Sequence, residues 1–312
     1  MRRLLFLLFL MMVMTPSHAA EKRRYPLDPP EVVKINERVY ALLGPLELPT
    51  RFNQGYMANS TVIIGDKGVI LIDTGFSDEI GEHLKQAVAK ITPKPVTHVI
   101  NTHHHGDHVL GNIAFKGATI ISSEQCKKLV DETGLEWLAF LEEATQRKFP
   151  NTKPVAATVT YAQETLTELV VDGVRLVLWV PKGSHTLGDM MVYLPVEKVL
   201  VSGDILVQHI TPNFQDGVVK DWVETLSQVV SLNPKTIVPG HGLLMTSVDA
   251  AAMQRRMAGL YAGVEAGYKK GLSDSEIRKT LDLEEWGKMH FFIDLMGGNI
   301  NRTFLEIEAE KF

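Results

Sequence analysis

The stretch Asn101-Thr102-His103-His104-His105-Gly106-Asp107-His108 directly follows Pro95–Asn101, an apolar run that reads as a β-strand. Alternate residues of an extended chain face the same way, so His103 and His105 can share one ion. His104 falls between them and points elsewhere, as support or toward solvent. Asp107 and His108 come where the chain turns into a helix and can face a second ion. The pattern His-x-His-x-Asp-His arises by chance in roughly one such chain per thousand, which makes an ordinary polar loop a poor account of it.

Three further candidate ligands stand at the ends of expected strands, each close to glycine: His185 in Gly183-Ser184-His185-Thr186, Asp204 in Ser202-Gly203-Asp204, and His241 in Pro239-Gly240-His241-Gly242. Glycine lets the backbone turn sharply, so a side chain can reach a shared centre. Strand ends supply the rigid frame that metal geometry requires. Imidazole and carboxylate without thiolate suit zinc, and also iron or manganese. No Gly-x-Ser-x-Gly elbow supports a serine triad. His83, His98, His209 and His290 read as bystanders, the last two being the nearer candidates for a pocket wall.

Around these residues the chain predicts strands over Val32–Leu43, Ser60–Asp73, Pro95–Asn101, Ala118–Ser122, Leu166–Val171, Val174–Val180, Met190–Leu194, Val199–Val201 and Thr236–Val238. Asp66-Lys67-Gly68 marks a turn inside the second run, and Asp172-Gly173 a hairpin. Helices are predicted at Asp78–Ile91, capped by Ser77, at 124–148 and at Lys220–Ser231. After Ser247 the chain turns helical: Ala250–Lys270, a capping box at Ser273-Asp274-Ser275-Glu276, then Leu283–Met296 and Asn299–Lys311 separated by Gly297-Gly298.

With these residues in view, the chain resembles the metallo-β-lactamase superfamily over about residues 30–245. The family signature stands here as His103, His105, Asp107 and His108, and its later single ligands match His185, Asp204 and His241 in the same order. Asp73, in Leu71-Ile72-Asp73-Thr74-Gly75, matches the buried acidic residue that supports the site. The resemblance implies an α+β fold, a four-layer αββα sandwich with the site along one edge, here carrying a C-terminal helical extension. It implies metal 1 on His103, His105 and His185, and metal 2 on Asp107, His108 and His241, with Asp204 bridging both or binding the second. Two zinc ions per chain are expected, with iron or manganese also compatible.

Such a pair of metals makes hydroxide from water at neutral pH, and the hydroxide attacks a carbonyl carbon. Asp107 is suited to orient that nucleophile and pass on its proton. The implied activity is hydrolysis of a small molecule: a β-lactam or other amide, a lactone or a thioester. The alternative within the superfamily is a mononuclear iron enzyme similar to sulfur dioxygenases. Two departures stand out. The best-known zinc β-lactamases carry cysteine where this chain has Asp204, and a carboxylate-gripping lysine where it has Val207. An aspartate there resembles glyoxalase II-like thioesterases and the exported metallohydrolases found beside sulfur-oxidation and quinoprotein systems. Phe52 and Tyr56, in Arg51–Met57, are expected in a flap over the site, and Asn213 and Phe214 in the opposite wall.

Composition narrows the setting. The 312 residues are 45% hydrophobic and 22% charged, which fits a globular chain. Net charge is −5 with no basic block beyond the N-terminus, which argues against a nucleic-acid partner. Arg2 and Arg3 precede an apolar run, Leu4–Met14, then Thr15-Pro16-Ser17-His18-Ala19, the three-part pattern of a signal peptide. The apolar run falls short of the roughly 20 residues that span a bilayer, so no stable membrane anchor is expected after cleavage. The expected layout is a signal peptide over 1–19, a metallo-β-lactamase-like domain over 20–246 and a helical extension over 247–312. The product is expected to be exported, periplasmic or secreted. Cys126 is the single cysteine and has no partner in its own chain, so it is a core or surface thiol.

Overall fold

The computed structural model describes residues 27–310; the expected signal peptide lies outside them. The first sheet has seven strands in chain order: β1 Glu31–Lys34, β2 Val39–Leu43, β3 Ser60–Ile64, β4 Val69–Ile72, β5 Val96–Ile100, β6 Thr119–Ser123 and β7 Val159–Tyr161. The strands β1 to β4 pair antiparallel, and β4 to β7 pair parallel. The second sheet is built from β8 Thr165–Val171, β9 Val174–Val180, β10 Met191–Leu194, β11 Val199–Val207 and β12 Thr236–His241, with β11 and β12 parallel. The helices are α1 Asp78–Ile91, α2 Gly106–Val109, α3 Glu124–Thr145, α4 Val219–Leu232, α5 Ser247–Lys269, α6 Asp274–Arg278 and α7 Phe292–Ala309.

Strand periodicity sorts the side chains into layers. Ile70 and Ile72 face the second sheet and pack with Leu176, Leu178, Val192 and Val238. Their neighbours Val69 and Leu71 face outward, onto Ile80, Leu84 and Val88 of α1 and Leu141 of α3. On the far side, Leu200 and Ile237 of the second sheet pack with Trp222 and Leu226 of α4, Met253 and Met257 of α5, and Met296 and Ile300 of α7. The result is an α+β sandwich of four layers, αββα. Among the described residues no helix is long and apolar enough to cross a membrane.

Local chemistry sets the joints. Ser77 caps α1 by accepting from the Ile80 amide at 3.2 Å, and Asp78 and Glu79 complement the helix N-terminus. Asp172 and Gly173 both take positive φ, as a tight hairpin needs. The Asp172 carboxylate then accepts from the Lys67 and Gly68 amides, tying the turn of one sheet to the turn of the other.

Some sequence expectations need correction. The Val32–Leu43 run is a hairpin, broken at Asn36, whose side chain accepts from the Arg38 and Val39 amides. The strand β7 was not foreseen. Of the helix expected over Leu283–Met296, Trp286–Lys288 form a short 3₁₀ turn and Phe292–Met296 open α7. In place of a break at Gly297-Gly298, α7 runs through both glycines. Each glycine costs about 1 kcal/mol in a helix, but α7 buries Met296, Asn299, Ile300, Thr303, Glu306 and Ile307 along one face, and that packing prevails.

The ends of β4, β5, β11 and β12 meet along one edge, and Asn59 locks the two sheets together there. Its Nδ2 donates to the Pro239 and Gly242 carbonyls at 2.9 and 2.8 Å, its Oδ1 accepts from the Gly44 amide at 3.0 Å, and its own amide donates to the Gly240 carbonyl. Asn59→Ala strands two buried carbonyls and a part-buried amide, so it is expected to destabilise the fold by about 2–4 kcal/mol, read as a lowered midpoint in urea unfolding. An unchanged midpoint would show that this bridge is dispensable.

Candidate metal centre

The loop after β5 carries His103 and His105, α2 carries Asp107 and His108, the β9–β10 connection carries His185, and β11 and β12 carry Asp204 and His241. Ligand atoms of His103, His105, His185 and Asp204 lie within 4.8 Å of one another, and so do those of Asp107, His108 and His241. Asp204 reaches both groups. Its Oδ2 is 3.6 Å from His185 Nε2 and 3.5 Å from His241 Nε2, and its Oδ1 is 3.4 Å from His108 Nε2. Asp107 Oδ2 is 3.2 Å from His241 Nε2. Close approach of Asp204 to β12 requires a glycine: a Cβ on Gly240 would stand 1.9 Å from Asp204 Oδ1.

Each of these five histidines spends its other ring nitrogen on a fixed partner. His105 Nε2 meets Asp216 Oδ2 at 2.9 Å, and His108 Nδ1 meets Asp73 Oδ2 at 2.8 Å. His185 Nδ1 meets the Asn213 carbonyl at 3.1 Å, and His241 Nδ1 the Met57 carbonyl at 3.2 Å. His103 Nδ1 meets Thr102 Oγ1 at 3.1 Å, whose proton goes to Asp73 Oδ2 at 2.7 Å. A partner of this kind fixes the tautomer and leaves the opposite nitrogen free to bind. His103 Nε2, His108 Nε2 and Asp204 Oδ1 are buried and face no hydrogen-bond partner. Orphaned buried polar atoms are costly, and cations held by the two groups would satisfy all three. The donor set fits a metal pair.

The remaining assignments sort clearly. Asp73 stands where the resemblance put it, behind the ligands, donating nothing and accepting from Thr102 and His108. His104 is buried rather than solvent-facing, with its ring beside that of His105. Phe52 is 60% exposed, but Tyr56 is 4% exposed and donates to the Leu43 carbonyl. Phe214 is fully buried against Trp222 and Trp286, and Asn213 uses its backbone carbonyl to hold His185. Tyr56 and Phe214 are therefore packing residues, because their rings are consumed by the core. Cys126 is a core thiol that burial pushes up, away from nucleophilic form.

Sequence reasoning missed Asp216, Asn59 and Trp137, whose ring lies 4.7 Å from that of His105. Asp216-Gly217 looks like an ordinary turn in the sequence, and its bond to His105 spans 111 residues.

A model of the metallo-beta-lactamase superfamily matches residues 54–241, more than half of the chain. The chain belongs to this superfamily. A metallo-beta-lactamase type 2 from Bacillus sp. (strain 170) is 27% identical over 193 residues, 59% of this chain and 66% of that enzyme. A linear primary-alkylsulfatase from Pseudomonas sp. (strain ATCC 19151) is 25% identical over 264 residues, 71% of this chain and 49% of that enzyme. The match thus spans just under two thirds of the first relative and about half of the second. The solved structure of a metallo-beta-lactamase from Pontibacter korlensis superposes with a TM-score of 0.59 at 23% identity, covering 73% of this chain and 99% of that one, a likeness of fold.

Electrostatics divide this superfamily site into unlike halves. Burial, reinforced by neighbouring imidazoles, lowers His103 well below the usual histidine range and His185 to about 3, so both are neutral ligands in waiting. Burial also opposes charge on His241 and His108, but Asp204, Asp107 and Asp73 outweigh it. His241 is raised to about 10 and His108 well above the ordinary value. Burial alone would raise Asp107 and Asp204, yet the facing histidines hold both carboxyls low and ionised.

Protons thus occupy the second group where a metal would sit. Adding zinc to metal-free protein at pH 7 is expected to release protons, measurable by pH-stat titration. Apparent affinity should fall about tenfold per pH unit for each proton displaced as pH drops from 8 to 6. Zinc uptake without proton release would contradict this charge assignment. Asp73→Ala, which frees Thr102 and His108 together, should weaken zinc binding by about 10–100-fold in chelator competition. Wild-type affinity in that variant would deny Asp73 its supporting role.

Proposed function

We propose that the protein is an exported binuclear zinc hydrolase acting on a carbonyl substrate: a β-lactam or other amide, a lactone or a thioester. The observation that carries this reading is the convergence of two complete donor groups, with Asp204 between them and each histidine oriented from behind. Zinc bound there would acidify water and polarise a carbonyl oxygen. The Asp107 carboxylate, ionised and aimed into the site, would accept a proton from the attacking water and return it to the leaving group.

The surroundings bear on the substrate. Trp137, Phe140 and Phe76 form an aromatic cluster that reaches His105, and Phe140 is 47% exposed. Val207 is buried, so the place of the carboxylate-gripping lysine offers no charge. An apolar acyl group on the His105 side suits this lining better than an anionic one. The second donor group argues against the single-iron alternative, which would leave Asp107, His108 and His241 without purpose.

Metal analysis with a substrate panel tests the reading. Close to two zinc ions per chain are expected, together with hydrolysis of at least one β-lactam, lactone or thioester, lost with a chelator and restored by zinc. Because an alkylsulfatase is among the relatives, a linear alkyl sulfate belongs in the panel as the contrasting ester. Asp107→Ala should lower kcat about 10²–10⁴-fold. Activity that survives in metal-free protein, or one iron per chain with oxygen uptake on a persulfide, would overturn the proposal.

A further inference from the structure

The loop from Gln208 to Val218 joins β11 to α4 and supplies two of the groups that aim histidines: the Asn213 carbonyl for His185 and the Asp216 carboxylate for His105. The loop has no regular secondary structure. Phe214 anchors it in the core and the Val218 amide donates to the Ser184 carbonyl, while the Asp216 side chain is exposed. The C-terminal helix adds a further hold. Asn299 Nδ2 donates to the Pro212 carbonyl at 2.8 Å, and Asn299 Oδ1 accepts from the Phe214 amide at 3.0 Å. One side chain therefore brackets Asn213 from both sides.

Arg302 continues the pattern one turn on. Its Nε and Nη2 both donate to the Gly217 carbonyl, at 3.0 and 2.7 Å, next to Asp216. Another turn on, the Glu306 carboxylate accepts from the Val219 and Lys220 amides at 2.7 and 2.9 Å, capping α4 where the loop ends. Positions 299, 302 and 306 lie on one helix face, and they meet the loop in chain order. Before α7 begins, the His290 amide donates to the His209 carbonyl and the His290 carbonyl accepts from the Thr211 amide, fixing the start of the same loop.

We propose that α7 is a positioning element of the metal centre: Asn299 and Arg302 hold the Asn213–Asp216 loop so that His185 and His105 turn their inward nitrogens, 3.0 Å apart, toward the first metal. This rests on the reading of His103, His105 and His185 as a metal group. The second group takes its outside support elsewhere, from Asp73 for His108 and from the Met57 carbonyl for His241. A change in α7 thus acts on one half of the site.

The test compares wild type with Asn299→Ala, Arg302→Ala and the partly exposed control Glu308→Ala, which touches none of the loop. Stepwise zinc titration against a chromophoric chelator reads the two sites, and ¹⁵N NMR of the imidazoles in metal-free protein reads ring tautomers. Asn299→Ala and Arg302→Ala are expected to weaken one zinc step about 10–100-fold, leave the other within about twofold, and blur the His185 and His105 tautomers. Glu308→Ala should match wild type. Arg302→Ala guards the test against misfolding, since it removes a partly exposed side chain from a single carbonyl. Folded Asn299→Ala and Arg302→Ala proteins with wild-type tautomers and both zinc steps intact would overturn the proposal, as would equal weakening of both steps. If wild type binds no zinc at all, the hydrolase reading fails, and the tautomer comparison still decides whether α7 sets the histidines.

Discussion

Two candidate donor groups that share one short loop need their side chains aimed from a common rigid point, and the Asp73 carboxylate is that point. It accepts from the Thr102 amide and hydroxyl and from His108 Nδ1. Through Thr102 it sets His103 in the first donor group, and directly it sets His108 in the second. The backbone bends to allow this: Asp73 leaves β4 with a φ of 59°, a left-handed conformation that aspartate tolerates better than most residues. Its own amide remains bound to the Ile100 carbonyl of β5. The supporting carboxylate is thus fastened to the strand that delivers the ligands.

The second sheet contributes the other half by different means. His185, Asp204 and His241 come from three separate segments, and each depends on a close approach. Gly240 lets Asp204 lie against β12, and Asn59 reaches from β3 to pin the Pro239–Gly242 turn. The irregular register between β11 and β12 over Gly203–Val207 brings the Asp204 carboxylate between both donor groups. Outside the sheets, α7 stabilises the loop that orients His185 and His105. Support for the first donor group therefore comes from both ends of the chain, whereas the second is held mainly by the first sheet and its loops.

Legibility in the sequence followed the range of the interaction. The candidate ligands between His103 and His108 were readable because their geometry is local: strand alternation and a helix start place them. His185, Asp204 and His241 were readable because glycines mark the turns that deliver them. Asp216 and Asn59 were not, since their roles consist of bonds spanning 111 and more than 180 residues, and neither residue type announces them. Tyr56 and Phe214 misled for a related reason: an aromatic in a loop looks the same whether its ring faces a substrate or the core. Gly297-Gly298 misled too, because local helix propensity is weaker than the burial of a whole helical face.

By itself, then, the chain of residues determined a sheet-rich core, a helical C-terminal stretch and seven candidate donors, because periodicity, turn chemistry and ligand spacing are short-range properties; the four layers and the place of Asp73 came through the family resemblance. Only the tertiary structure decided which nitrogen of each histidine faces inward, which carboxylates stay ionised, and which distant side chains hold the ligands in place. Those outcomes depend on burial and on partners contributed by other elements, and they exist only once the two sheets and the C-terminal helix have closed around the site.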